Sequence, residues 1–216
     1  MKPPLKRTLA VLALLVSMPL GLRAQADVTI EYASRYVWRG FDYGSSPSLQ
    51  PAFSFTKGNL TVGTWAAYAT NGDPDGTEID FYLSYSLGDL TLSVTDYVYP
   101  DASPFFDKAQ HFVEVGAAYT LPSMPLSLSA NVFVLNDADY SVYFEAGYLV
   151  RDVGFFLGFT PATSALYGNA KPGLINAGVG LARNVVVTET FAFTLTTTLV
   201  TNPYANNAFL LFGVSL

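Results

Sequence analysis

The sequence predicts an all-β fold, a transmembrane antiparallel up-and-down barrel of about twelve strands over residues 27–216, behind a leader cleaved from residues 1–26. Three observations predict it. The chain opens with a secretion signal, its composition is too apolar for water yet holds no helical span, and period-two alternation recurs to its last residue between alternately short and long connections.

The leader comes first. Lys2, Lys6 and Arg7 precede an apolar run from Leu9 to Leu22, and Ala24-Gln25-Ala26 supplies small residues for cleavage after Ala26. A membrane anchor is the alternative, but the run falls short of the roughly 20 residues a spanning helix needs, and Pro19 and Gly21 interrupt it.

Residues 1–26 carry four of the eleven basic residues and none of the seventeen acidic ones, so the remainder has seven against seventeen and a formal charge of −10. That balance excludes nucleic acid as a partner, because phosphate contacts rest on clustered Lys and Arg. Cysteine is absent, so neither disulfides nor thiol chemistry enter. Hydrophobic residues make up 50% of the chain and charged residues 13%, against about 25% charged in soluble domains. No stretch after residue 26 is a continuous apolar span of helical length. A chain that crosses lipid without helices closes into a barrel, since hydrocarbon cannot satisfy an open sheet edge.

Alternation then defines the strands. Ile79, Phe81, Leu83, Tyr85 and Leu87 share one face, with Glu78, Asp80, Tyr82, Ser84 and Ser86 on the other. Leu126, Leu128, Ala130, Val132 and Val134 oppose Ser127, Ser129, Asn131 and Phe133, and Val142, Phe144, Ala146, Tyr148 and Val150 oppose Ser141, Tyr143, Glu145 and Gly147. The same rule places strands near 28–38, 47–56, 60–70, 78–87, 90–99, 109–121, 126–135, 140–150, 153–160, 173–183, 189–200 and 208–216. The last of these ends on apolar Leu216 and is expected to pair with the first and close the barrel.

Connection lengths give an independent check, because outer-membrane barrels alternate short periplasmic turns with longer outer loops. Short links fall at Lys57-Gly58-Asn59, Gly88-Asp89, 122–125, Arg151-Asp152 and near Asn184. Longer polar segments occupy 39–46, 71–77, 100–108, 136–139, 161–172 and 201–207. Both termini are thereby expected in the periplasm.

With the apolar face on lipid, the lumen receives Glu31, Arg35, Gln50, Glu78, Asp80, Glu114, Asn131, Glu145 and Asn176, with Arg39 at the upper rim. Acids outnumber bases there, which favours cations or neutral polar solutes over anions. The opposing expectation is that Glu and Arg pair across the lumen and plug it, as in small filled barrels. His111, the single histidine, would have to be the base of any serine hydrolase; Ser103, Asp101 and Asp107 are its sequence neighbours and complete no recognisable triad. Asn71 to Gly76 loosely resembles a calcium loop but lacks that motif's spacing and its twelfth-position Glu, so turn chemistry accounts for it. With no Cys or His cluster, phosphate-binding loop or nucleotide motif, no cofactor or metal is expected.

The block Ser34-Arg35-Tyr36-Val37-Trp38-Arg39-Gly40, followed by Pro51-Ala52, Gly63-Thr64-Trp65-Ala66, Glu78-Ile79-Asp80 and Tyr99-Pro100, resembles the proteobacterial porin family called TorF-type, or Gcw-type conserved hypothetical proteins. Beyond residue 100 the similarity is limited to strand pattern and the Asn202-Pro203-Tyr204 turn, and Ser84-Tyr85 stands where members have Gly-Tyr. The resemblance implies an outer-membrane barrel with a transport role and no catalytic residues.

Trp38 is expected to anchor the first strand at the membrane interface, and Arg39 to turn inward and pair with Glu78 or Asp80. The expected function is passive diffusion of small hydrophilic, neutral or cationic solutes, with outer-membrane lipids as the surrounding partner. The alternatives are a structural or surface-interaction barrel with a plugged lumen and, remotely, a lipid enzyme using His111.

Overall fold

The computed structural model describes residues 24–100 and 105–216. The expected leader lies almost wholly outside them, as do Asp101 and Ser103. Twelve strands form a closed antiparallel barrel. The wall runs through β1 (Gln25–Ala33), β4 (Ser48–Lys57), β5 (Leu60–Ala69), β6 (Thr77–Leu87), β7 (Leu90–Val98) and β8 (His111–Thr120). It continues through β9 (Leu126–Leu135), β10 (Val142–Val150), β11 (Val153–Thr160), β12 (Gly173–Thr188), β13 (Phe191–Asn202) and β14 (Asn207–Ser215). The two remaining strands, β2 (Tyr36–Trp38) and β3 (Phe41–Tyr43), form a separate two-stranded sheet.

The barrel closes where β1 meets β14, with Glu31 opposite Ser215 and Ala33 opposite Gly213. Ile30 and Leu216 exchange backbone hydrogen bonds of 3.2 and 3.1 Å at the same seam. Gln25 and Ala26, on the leader side of the expected boundary, pair with Thr56 and Phe55 of β4.

Alternation decides which way each side chain points. Phe81, Leu83, Tyr85 and Leu87 on β6, Phe155, Leu157 and Phe159 on β11, and Leu210, Phe212 and Val214 on β14 are all exposed on the outer surface. In water such a belt would be an aggregation hazard, and in hydrocarbon it is the matching surface. The buried cluster of Tyr97, Phe133, Tyr143, Tyr167 and Ile175 sits inside the barrel, drawn from inward positions of the wall and, for Tyr167, from the loop 161–172.

Two expectations about the wall need correction. The strand expected over 28–38 breaks after Ala33, and the segment 39–46 is no outer loop: together they supply β2 and β3. A bend at Ser34-Arg35 lifts the chain off the wall. Arg39 (φ 49°) and Gly40 (φ 83°) then make a two-residue turn with both residues in the left-handed region, which matches the twist of a tight hairpin. The link expected near Asn184 lies at Glu189-Thr190 instead, since Asn184 pairs with Thr194 inside the β12–β13 ladder. One Asn does not end a strand when Val185, Val186 and Val187 follow it, because β-branched residues favour continued extension.

Near its long-loop end β12 carries a bulge. Gly158 pairs with Asn176 and Phe159 with Leu174, so Ile175 is an extra residue. Ile175 and Asn176 are both buried, and the local kink lets the wall meet the hairpin tip.

Candidate functional site

The hairpin β2–β3 crosses the lumen. Its register pairs Tyr36 with Tyr43 and Trp38 with Phe41 on one face, and Val37 with Asp42 on the other. The aromatic face meets the wall in sequence. The Tyr36 ring lies 5.1 Å from that of Trp65 on β5, and its hydroxyl donates to Glu78 on β6 at 2.9 Å. Trp38 packs edge-on to Tyr97 of β7 at 5.6 Å and to Phe133 of β9 at 6.4 Å. At the tip, a Cβ on Gly40 would sit 2.2 Å from the carbonyl oxygen of Ile175 on β12, so only glycine permits that approach. A segment that touches β5, β6, β7, β9 and β12 together can only lie within the barrel.

Arg39 is the centre of this arrangement. Its guanidinium forks onto Glu114 of β8, with Nη1–Oε1 at 2.6 Å and Nη2–Oε2 at 2.9 Å. It donates also to the Tyr167 hydroxyl. Its central carbon stands 4.4 Å from the Trp38 ring centroid and 4.2 Å from that of Tyr143. Tyr97 donates to the same Glu114 at 3.0 Å. A bidentate pair with aromatic faces against it is the geometry that makes a buried guanidinium tolerable.

The loop 161–172 supplies Tyr167, whose ring stacks on Phe41 of the hairpin at 6.3 Å. A Ser164–Asn169 bridge folds the loop back, Tyr167 N–H donates to Ser164 Oγ at 3.0 Å, and Ser164 meets Ser141 of the wall at 2.6 Å. Burial pushes the Tyr167 phenol well above its ordinary range, so it stays a neutral partner to Arg39.

The other sequence candidates fall at stated places. Glu31, Gln50, Glu78, Asp80, Glu114, Asn131, Glu145 and Asn176 occupy the inward-facing positions of their strands. Asn176 donates to Tyr143 Oη at 3.0 Å and to Glu145 Oε2 at 3.2 Å, and Tyr143 donates to Glu145. This triad is possible because Gly158 leaves room: a Cβ there would stand 1.9 Å from the Tyr143 hydroxyl. Arg35 pairs with Asp42 inside the hairpin.

Three expectations are overturned. Trp38 is no interface anchor, because its ring lies among Tyr97, Phe133 and Tyr167 within the lumen. Arg39 is at the hairpin tip and not at the upper rim. Its partner is Glu114 and neither Glu78 nor Asp80, since the tip reaches past β6 to β8. The residues missed were Tyr36, Asp42, Tyr97, Tyr143 and Tyr167. Aromatics on the polar face of an alternating strand, as at Tyr97, Phe133 and Tyr143, were the available signal.

His111 is at the long-loop end of β8, on the outward face. Its Nδ1 lies 2.8 Å from Asp96 Oδ2 and its Nε2 2.9 Å from the Phe105 carbonyl oxygen. In the segment 71–76, Asn71 and Asp73 side chains accept from the backbone N–H groups of Asp73 and Asp75, which is turn chemistry.

Beside the hairpin a cavity of about 540 Å³ opens at the long-loop end, lined by Asp42, Tyr43, Asp73, Asp75 and Tyr99 among others.

A family model described as "Bacterial protein of unknown function (Gcw_chp)" matches residues 23–169, a span that holds the hairpin, Glu114 and Tyr167. No curated protein matches the chain. Among solved structures, a mutant of Rh. blastica porin is similar at 13% identity and a TM-score of 0.41. A triple mutant of Rhodopseudomonas blastica porin is similar at 13% identity and a TM-score of 0.38. In both cases the match covers 78% of this chain and 55% of the porin, so the chain spans about half the length of those porins.

Proposed function

The chain belongs to the Gcw_chp family of bacterial proteins of unknown function, and from that premise and its barrel we propose an outer-membrane channel for small neutral or cationic hydrophilic solutes. The observation that carries the reading is the charge left over inside the barrel. Arg35 is taken by Asp42 and Arg39 by Glu114. Glu31, Glu78, Asp80 and Glu145 face inward with no basic partner among the described residues. Acidic side chains that line a narrow path without basic partners attract cations and repel anions.

In this reading the hairpin is the constriction. It leaves the mouth cavity on one side, while the inward positions toward the short-turn end, such as Ser84, Ser93, Ser129, Gly180 and Thr196, are small or hydroxylated. This reading takes the expected leader as removed in the periplasm and puts the termini, with the short turns, on that side and the long loops outside. We read the barrel as a channel rather than an enzyme, because His111 has both ring nitrogens engaged and neither is left to activate a nucleophile.

Reversal potential across planar bilayers in a KCl gradient tests the proposal. The expected result is cation selectivity that weakens in Glu78→Gln with Asp80→Asn; anion selectivity, or none, would end it. A second reading, a structural barrel with a closed lumen, is favoured by the Arg39 clamp and the ring of contacts around the hairpin. It predicts an absence of conductance steps from well-folded protein.

A further inference from the structure

A second cavity, of about 190 Å³, lies inside the barrel at the root of the hairpin, on the side away from the Arg39 clamp. Glu31, Gln50, Thr196 and Thr198 line it from the wall, and Arg35 closes it from the hairpin. Two features make this space chemically specific. The Glu31 carboxylate faces it with no hydrogen-bond or ion-pair partner among the described residues. Arg35 gives one nitrogen to Asp42, yet its side chain stays 42% exposed while that of Asp42 is 12% exposed. Guanidinium carries five donors in a fork, so most of Arg35 remains unspent. An acceptor-only anion and a donor-only cation thus share one small cavity without pairing with each other.

A half-buried carboxylate without a partner favours a positive one, and a free guanidinium edge favours a planar anion. A solute with an ammonium and a carboxylate satisfies both at once. A simple amine would leave the guanidinium edge open, and a simple carboxylate would meet Glu31. Size agrees: at about 30 Å³ for each water in the liquid, the cavity holds roughly six waters, comparable to a solute of about six non-hydrogen atoms such as alanine. Access agrees too. Asp42 lines the mouth cavity and Arg35 the inner one, so their ion pair stands between the two.

We propose that the Glu31–Arg35 cavity is a subsite for small zwitterionic solutes of the amino-acid kind, with the ammonium on Glu31 and the carboxylate on the guanidinium edge of Arg35 that its bond to Asp42 leaves free. The proposal rests on the channel reading for the solute's route and adds the solute class.

Calorimetric titration of the full chain in detergent, with L-alanine, ethylamine, propionate and glycerol as separate probes, is the test. L-Alanine is expected to bind at least about tenfold more tightly than any of the others, each charge-assisted contact being of that order. Glu31→Gln is expected to remove that preference, and Arg35→Lys to reduce it by loss of the fork. The idea is overturned if ethylamine or propionate matches alanine in the wild type, or if folded Glu31→Gln binds alanine unchanged. Should Glu31→Gln not fold, the four probes on wild-type protein decide alone. Conductance is read separately. A conducting barrel with no alanine preference overturns the subsite and leaves the channel, whereas alanine binding to a barrel that never conducts supports the subsite and removes the channel.

Discussion

Arg39→Ala is the substitution that most directly measures what holds the hairpin in the lumen. It deletes both hydrogen bonds to Glu114, the bond to Tyr167 and the contacts with the Trp38 and Tyr143 rings. It also leaves Glu114, only 5% exposed, with the Tyr97 hydroxyl as its one remaining partner among the described residues. Removing one member of a buried ion pair costs about 3–5 kcal/mol, and the aromatic contacts overlap with that figure rather than add to it. At about 1.4 kcal/mol per factor of ten, a loss of about 4 kcal/mol shifts the ratio of docked to undocked hairpin by nearly three orders of magnitude. Single-channel recording is the assay. Arg39→Ala is expected to show a larger conductance level, entered far more often than in wild type, with Arg39→Lys in between because it keeps the charge and loses the fork. The double variant Arg39→Ala with Glu114→Ala is expected to add little to Arg39→Ala alone, since the two residues act as one unit. The reasoning is refuted if Arg39→Ala folds, as judged by its urea midpoint in lipid vesicles, and yet conducts at the wild-type level with the wild-type open probability.

Other outcomes follow from the same geometry. Gly40→Ala is expected to copy the conductance of Arg39→Ala, because its φ of 83° and the 2.2 Å approach to Ile175 oppose any Cβ. Gly158→Ala should displace the Tyr143 hydroxyl, disturb its bonds to Glu145 and Asn176, and lower stability by about 1–3 kcal/mol in urea titration. Leu157→Arg, on the lipid face, is expected to cost about 2–4 kcal/mol if it lies near the midplane, whereas Ser129→Arg, on the inward face, should leave vesicle folding much less affected. Equal midpoints for those two variants would contradict the assignment of faces.

The wall was legible in the sequence because its physics is local. Phe144, Ala146 and Tyr148 alternate with Glu145 and Gly147 within one strand, and a bilayer outside a closed sheet makes that alternation obligatory. The hairpin was not legible for two reasons. Alternation continues through the bend, with Tyr32, Tyr36 and Trp38 all at even positions, so 28–38 reads as one uninterrupted strand. Arg-Gly is also a weaker turn signal than Asn-Gly, although it adopts the same backbone here. The clamp itself joins positions 75 residues apart. Both ends were marked as lumen candidates from side-chain chemistry, but no spacing rule connects a turn arginine to a glutamate on a distant strand. Tyr167 was hidden for a different reason: it lies in a long polar loop of the kind expected to point outward.

The hairpin also bears on the order in which the barrel is completed. It follows the first strand in the chain, yet the surfaces that hold its tip belong to Glu114, Tyr143, Tyr167 and Ile175, which are translated much later. Long-range contacts of this kind are slow to form because the chain loops they close must be ordered first. The tip therefore has no place to settle until the late strands stand in register. Its seating then fastens the two halves of the sequence across the interior, independently of the short β1–β14 seam. The hairpin is in that sense a clasp, whose tip secures a finished cylinder and cannot engage an unfinished one.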